Sequence, residues 1–166
     1  DINKPIYAVL WNHDIEQPWP PLRKKLTDTL VSYWVQIIDN KTITLTWNNQ
    51  ENITLVWLGS FLWRESDVTL LEQYTDGDNI IVLTHNPDTT SLYTSSVADV
   101  TLAGHTHWWQ IRIPYIYKYA IPTLGDFDRN LTQETFTKLF ITAWLWTVML
   151  PMRLFNPPVI DILTFE

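Results

Sequence analysis

The chain has 166 residues, of which 46% are hydrophobic and 17% are charged, a composition that supports one domain with a buried core over residues 1–166. The formal net charge of −7 argues against a large nucleic-acid surface, because such surfaces depend on clustered Lys and Arg. The sequence contains no cysteine, which excludes a disulfide framework, a cysteine-ligated zinc site and a thiol nucleophile. Any metal ion must therefore be held by His, Asn, Asp or Glu.

The sequence as given shows no targeting or spanning segment. Its first ten residues lack a basic stretch followed by an apolar one, so we expect no signal peptide there. The most apolar stretch, residues 139–150, is too short for a bilayer span of about 20 residues. We therefore expect no membrane span in this chain.

Strands and helices alternate in the first half of the predicted fold. Residues 6–10 predict a buried strand that ends at a polar cluster, and leucines at helical spacing after Pro20 and Pro21 predict a helix to about Ser32. Further strands are predicted at residues 35–38, 43–45 and 53–58, with a turn at Asn48-Asn49 between the last two. Ser66 is predicted to cap a second helix that runs to about Tyr74 and is broken at residues 76–78.

The second half is predicted to be richer in strands. Residues 80–83 and 100–103 predict strands that end at His85-Asn86 and at Gly104-His105-Thr106-His107. After a loop rich in Tyr and Pro, residues 138–143 and 159–165 predict two more strands. The whole pattern predicts an α/β fold of the sandwich type.

All four histidines lie in polar clusters that follow predicted strands. The clusters are Asn12-His13-Asp14, His85-Asn86 and His105-Thr106-His107. Ligands of α/β proteins bind beyond the carboxyl ends of the strands, and imidazole nitrogen and amide oxygen are ordinary ligands of divalent metals. A single histidine after a strand is usually a hydrogen-bonded loop residue. From composition and spacing alone, a metal site and four structural histidines both stay open.

Three ordered motifs resemble those of calcineurin-like metallophosphoesterases. Asn12-His13-Asp14 resembles their Gly-Asn-His-Asp motif, with Trp11 in place of Gly, and His85-Asn86 resembles their single-histidine motif. Gly104-His105-Thr106-His107 matches their Gly-His-x-His motif. The stretch from Met152 to Pro158 resembles the tail of a bacterial branch whose members act as phosphodiesterases or pyrophosphatases.

The resemblance implies a β-sandwich flanked by helices and a dinuclear site for Mn, Fe, Zn or Mg. Asn12, His85 and His105 would bind one metal ion and His107 the other. His13 would be the catalytic residue near the leaving group. In such a site two metal ions orient the phosphate and activate a water. Asp14 and Asp88 could orient the imidazoles, or they could be turn and cap residues.

The sequence departs from the family pattern before its first motif. The family's earlier Asp-x-His and Gly-Asp motifs have no counterpart upstream of residue 12, and Gly125-Asp126 lies in the wrong place and is predicted to be a loop. The resemblance therefore implies the C-terminal part of such a domain, without its N-terminal strands. In the family, those earlier motifs supply further metal ligands and the carboxylate that bridges both metal ions. Without that carboxylate, we expect weak metal binding and negligible activity for this chain alone.

The second departure is an exchange of glycine for tryptophan. The chain has ten Trp and four Gly, whereas about 12 Gly are usual at this length. Eight Trp stand at apparent family glycines: Trp11, Trp34, Trp57, Trp63, Trp108, Trp109, Trp144 and Trp146. Trp19 and Trp47 are predicted to lie in loops. We hypothesise that many of these tryptophans come from glycine codons that were translated as Trp, and the nucleotide sequence tests this. The alternative is that they are genuine tryptophans in the core or in a stacking surface.

The expected function is metal-dependent hydrolysis of a phosphodiester, pyrophosphate or phosphomonoester bond, with a small phosphate ester or a lipid or nucleotide precursor as substrate. Protein phosphatase activity is an alternative within the same chemistry. An aromatic-rich carbohydrate- or ligand-binding module and a nonfunctional remnant are alternatives of other kinds. Arg112, Lys118 and Arg129 could meet a phosphate or be solvated. The compartment, cytoplasmic or membrane-associated in a bacterium-like cell, and the oligomeric state stay open.

Overall fold

The computed structural model describes residues 4–10, 22–46, 52–62, 64–107, 110–125, 127–143, 145, 147 and 150–165. Within these residues the chain forms one α-helix, α1 (Arg23–Ser32), and two sheets. The smaller sheet pairs β1 (Ile6–Ala8) with β2 (Val35–Ile37) in parallel. The larger, six-stranded sheet has the order β3-β4-β5-β6-β8-β7, formed by β3 (Lys41–Thr46), β4 (Asn52–Trp57), β5 (Ile80–Leu83), β6 (Val100–Ala103), β7 (Asn130–Gln133) and β8 (Lys138–Ile141). The predicted α/β class is confirmed.

The middle of the larger sheet is parallel and buried. β4, β5, β6 and β8 run in the same direction, with β3 and β7 antiparallel at the two edges. β5 is a continuous run of Ile, Ile, Val and Leu, because a parallel strand covered on both faces has no polar side to alternate with. Val56, Ile80 and Val82 are fully buried in the main core cluster, and Leu139 and Ile141 form a second cluster. The predicted strands at residues 80–83 and 100–103 are confirmed with these bounds.

β1 and α1 are confirmed as elements but lie at the periphery. β1 ends at Ala8 and its Ile6 is exposed, so the prediction of a fully buried strand over residues 6–10 is wrong. The reason is that, within the described residues, its sheet has two strands and so covers little of β1. α1 buries no residue completely, although Leu26 and Leu30 are partly covered. The Asn12-His13-Asp14 cluster and the Asn48-Asn49 turn lie outside the described residues.

α1 ends in a left-handed residue. The backbone N–H of Tyr33 donates to the carbonyl of Leu30, and that of Trp34 donates to the carbonyl of Val31. Trp34 has φ of +64° and its side chain is 90% exposed. This position after a helix is one that glycine usually occupies, because a Cβ there is sterically costly.

The predicted second helix is wrong. The structure has a 3₁₀ turn, Val68–Leu71, capped by the Asp67 side chain, which accepts a hydrogen bond from the Thr69 N–H. The Ser66 hydroxyl instead donates to the carbonyl of Gly59. The amide oxygen of Asn40 accepts from the backbone N–H groups of Gly59 and Asp67, which ties this segment to the end of β4.

The predicted strand at residues 159–165 is also wrong. Those residues have no regular structure, and Ile160 and Ile162 are largely exposed despite their strand-like alternation. Both sides of β8 are already occupied, by β6 and β7. Pro157 and Pro158, just upstream, have no N–H to donate to a ladder. In the described part of the chain, no helix is long and apolar enough to cross a membrane.

Candidate metal centre

β5 and β6 bring two of the predicted ligands to the same edge of the sheet. The two strands are parallel neighbours, with Leu83 opposite Leu102. Two further backbone hydrogen bonds continue the ladder: Thr84 N–H donates to the carbonyl of Leu102 at 3.0 Å, and Gly104 N–H donates to that of His85 at 3.1 Å. His85 and His105 therefore leave the sheet side by side at its carboxyl edge.

The imidazoles of His85 and His105 meet edge to face. Nε2 of His85 lies 3.0 Å from Nδ1 of His105, and the ring centroids are 4.8 Å apart with the planes at 79°. Both side chains are buried, with 6% and 7% of the residue exposed. In this contact one ring nitrogen donates a hydrogen and the other accepts it, with the roles set by the tautomers.

This geometry suits two ligands of one divalent cation. At a metal–nitrogen distance of about 2.1 Å, adjacent ligand nitrogens lie ~3.0 to 3.4 Å apart. The 3.0 Å between Nε2 of His85 and Nδ1 of His105 lies at the short end of this range. Metal binding would require a lone pair on both of these nitrogens, so each ring would carry its hydrogen on its other nitrogen. Among the described residues no group of three or more His, Asp or Glu is placed to hold a metal ion. Asn12, the predicted metal ligand, and His13, the predicted catalytic residue, lie outside those residues, so both roles stay predictions.

The loop after β6 holds its two histidines in left-handed backbone conformations. His105 has φ of +59° and His107 has φ of +50°. Non-glycine residues adopt this region rarely, with His among the more tolerant types. Between them, the Thr106 N–H donates to the carbonyl of Gly104 at 2.6 Å, and the Thr106 hydroxyl donates to the carbonyl of Asp128 at 3.2 Å. His107 is buried to the same extent as His105, and its assignment to a second metal ion stays a prediction.

Asn86 and Asp88 shape the loop after β5. The amide oxygen of Asn86 accepts from the Asp88 N–H and caps the 3₁₀ turn Pro87–Leu92. Oδ1 of Asp88 accepts from the backbone N–H groups of Leu124 and Gly125. Burial raises the pKa of the Asp88 carboxyl, and those two hydrogen bonds offset part of the rise. Asp88 is thus a loop anchor, which was the alternative to orienting an imidazole; Asp14 lies outside the described residues.

Arg112 is held in an ion pair rather than presented to solvent. Its two terminal nitrogens donate to the two carboxylate oxygens of Asp128 at 2.7 and 3.0 Å, and its guanidinium lies over the ring of Tyr117. Burial alone would raise the pKa of Asp128, but hydrogen bonds and charge from Arg112 outweigh it and lower the pKa. Arg112 is buried, whereas Lys118 and Arg129 are exposed as expected.

Two tryptophans at apparent family glycines can be compared. Trp34 occupies the left-handed, exposed position after α1, which suits glycine. Trp57 is the last residue of β4, is 3% exposed, and packs on Tyr7 with ring centroids 6.0 Å apart. Its indole nitrogen is buried without a hydrogen-bond partner in the described part of the structure. The other eight lie outside the described residues: Trp11, Trp19, Trp47, Trp63, Trp108, Trp109, Trp144 and Trp146.

Asn156 was missed as a site residue by sequence reasoning. It is 2% exposed, and its side-chain N–H donates to the backbone carbonyl of His107 at 3.1 Å. The two residues are 49 positions apart, so no local pattern indicates the contact. The only signal was its place in the tail segment that resembles one bacterial branch.

A mixed α/β sheet with buried imidazoles converging beyond two parallel strands is an arrangement typical of metal-dependent enzymes. Over 87 residues, 52% of its length, the chain is 29% identical to the uncharacterized metallophosphoesterase YkuE of Bacillus subtilis, covering 30% of that protein. Over 83 residues, 48% of its length, it is 32% identical to the UDP-2,3-diacylglucosamine pyrophosphatase LpxG of Chlamydia trachomatis, covering 23% of it. The LpxG of Chlamydia muridarum is 31% identical over 81 residues, with the same coverage.

These similarities support a metallophosphoesterase-like family. The matched segments span less than a third of the curated relatives' own length. No family model matches the chain. No solved structure matches it either.

Proposed function

We propose that the chain carries part of a dinuclear metal centre that hydrolyses a phosphodiester, pyrophosphate or phosphomonoester bond. The observation that carries this proposal is the buried pair of imidazole nitrogens, 3.0 Å apart, at the carboxyl edge of β5 and β6. The similarity to proteins named as a metallophosphoesterase and as pyrophosphatases supports the reaction class. A small phosphate ester or a lipid or nucleotide precursor is the substrate class that we propose.

Each proposed site residue is assigned one part in this centre. His85 and His105 would hold one cation, with Asn12 as a further ligand, and His107 would hold the second cation. When bound, two divalent cations neutralise charge on the phosphate and make a water nucleophilic at neutral pH. His13 would stabilise the transition state or protonate the departing oxygen. The left-handed turns at His105 and His107 hold the two imidazoles on one short loop.

The convergence of His85 and His105 also favours this proposal over a binding module. A module that stacks carbohydrate on exposed aromatics needs no buried pair of imidazoles. Tyr115 and Tyr119 are exposed and could serve such stacking. They belong to the segment 110–125, which follows the histidine loop in the sequence.

The proposal is tested first by metal binding. We expect wild-type protein to bind Mn²⁺ weakly, since the described residues supply only two converging nitrogens, and we expect His85→Ala and His105→Ala each to reduce the affinity at least tenfold. Gln73→Ala, at an exposed position after the 3₁₀ turn, is the control and should bind like wild type. Equal Mn²⁺ affinity in wild type and both histidine variants would overturn the proposed centre.

The reaction is tested with a chromogenic phosphodiester. We expect negligible turnover by this chain alone and manganese-dependent turnover by the product of the whole reading frame. Loss of that turnover in His105→Ala, with the fold retained, would support the proposal. Robust turnover by this chain alone would refute the expectation that it is inactive.

A further inference from the structure

A stretch near the end of the described chain runs beside the residues that follow the histidine loop. The N–H of Leu154 donates to the carbonyl of Gln110 at 2.8 Å, and the N–H of Arg112 donates to the carbonyl of Leu154 at 2.9 Å. Ile111 and Leu154 form an isolated parallel bridge. The side chain of Gln110 also donates to the carbonyl of Leu150. These bonds hold the segment that leads to Asn156 against residues 110–112.

Asn156 is the member of this stretch that contacts the histidine loop itself. Its side-chain nitrogen donates to the carbonyl of His107 at 3.1 Å, with the asparagine almost fully buried. The opposite orientation of the amide would point its oxygen at that carbonyl, so the donor assignment follows from the contact. The amide oxygen is buried without a hydrogen-bond partner among the described residues. The hydrogen bond that the Asn156 side chain makes here is therefore the one that its N–H donates to His107.

We propose that Asn156 is a positioning residue for His107. His107 has φ of +50°, and the hydrogen bond to its carbonyl fixes the peptide plane that follows this left-handed residue. Without it, the backbone can turn toward a more relaxed conformation, and the imidazole moves with it. Metal ligands tolerate displacements of only about 0.5 Å. The inference rests on the proposed function, because it assigns His107 a metal to bind.

The test compares Asn156→Leu with a control that removes a different buried hydrogen bond. Leu branches at Cγ as Asn does but is larger, and it has no donor. Tyr93→Phe removes the bond between Tyr93 and Thr101 in the core. Free Mn²⁺ is counted by electron paramagnetic resonance, which measures weak binding, and stability is followed by urea unfolding. We expect Asn156→Leu to weaken binding of the second Mn²⁺ about tenfold and Tyr93→Phe to leave it unchanged.

A double-mutant cycle shows whether Asn156 acts through His107. In the His107→Ala background, Asn156→Leu should have no further effect on Mn²⁺ affinity, because the ligand it positions is gone. An equal loss in both backgrounds, or an unchanged affinity in Asn156→Leu, would overturn the positioning role while leaving the metal centre intact. Absence of Mn²⁺ binding in wild type would overturn the proposed function and this inference with it. If Asn156→Leu does not fold, Asn156→Ser carries the same cycle.

Discussion

Replacing Trp34 with glycine should make the protein more stable, although it removes the largest side chain available. Trp34 has φ of +64° at the end of α1, and its side chain is 90% exposed. An L-residue in this conformation is destabilised by about 1–2 kcal/mol. Glycine removes that strain but adds about 0.4–1 kcal/mol of conformational entropy to the unfolded chain. Because little burial is lost, Trp34→Gly should raise the free energy of unfolding by about 0.5–1 kcal/mol.

Tyr33 is the matched control for this prediction. It immediately precedes Trp34, is also an exposed aromatic residue, and has φ of −101°. Tyr33→Gly therefore relieves no left-handed strain, and it should lower the free energy of unfolding by about 0.5–1 kcal/mol. Urea unfolding followed by circular dichroism gives both values. If Trp34→Gly destabilises the protein as much as Tyr33→Gly does, the strain argument is refuted.

Trp57 gives the opposite expectation at a second apparent family glycine. It is buried at the end of β4 against Tyr7. Trp57→Gly should cost at least about 3–5 kcal/mol, the usual loss when a buried aromatic residue is truncated. A stabilising Trp34→Gly beside a severely destabilising Trp57→Gly would mean that the fold treats these two tryptophans differently, whatever their codons are.

Three further substitutions test the loops around the candidate site. The pKa of Asp128 is lowered because its interaction with Arg112 outweighs its burial. The ionised carboxylate therefore stabilises the fold above the unfolded pKa of about 3.9, and this stabilisation is lost as pH falls through the folded pKa. Asp128→Asn should weaken this loss of stability at low pH and should lower the free energy of unfolding at pH 7 by about 1–3 kcal/mol, measured by urea unfolding. Burial raises the pKa of Asp88, so its charge opposes folding above the folded pKa, and the free energy of unfolding rises as pH falls through that pKa. Asp88→Asn keeps an acceptor for the Leu124 N–H, so it should remove this pH dependence without lowering the free energy of unfolding at pH 7. Gly59→Ala would place a Cβ 2.7 Å from the carbonyl oxygen of Glu65 and should cost about 1–3 kcal/mol, measured by thermal unfolding.

The parallel core could be predicted because its strands are continuous apolar runs with both faces buried. β5 is the clearest case. The second helix was predicted wrongly because a side chain far away in sequence, Asn40, ties residues 59–67 to the end of β4. The strand at 159–165 was predicted wrongly because alternation alone does not show whether a neighbouring strand is available.

The approach of His85 to His105 followed from one rule, that parallel neighbours end at the same edge of a sheet. The backbone conformation of the loop did not follow from any rule. The loop with left-handed His105 and His107 makes hydrogen bonds with Asp128 and Asn156, which lie far along the chain. Sequence reasoning could therefore name the histidines but not what holds them.

The energetic cost of the histidine loop explains why so much of the chain is arranged around it. Two left-handed non-glycine residues cost about 1–3 kcal/mol each, and such conformations persist only where surrounding contacts hold them. Three bonds from separate parts of the sequence do so: Gly104 N–H to the carbonyl of His85, Thr106 hydroxyl to that of Asp128, and Asn156 amide to that of His107. All three end on backbone carbonyls and none uses an imidazole nitrogen. The loop is thus held by its backbone, which lets the rings of His85 and His105 be directed at each other, as a shared metal ion requires.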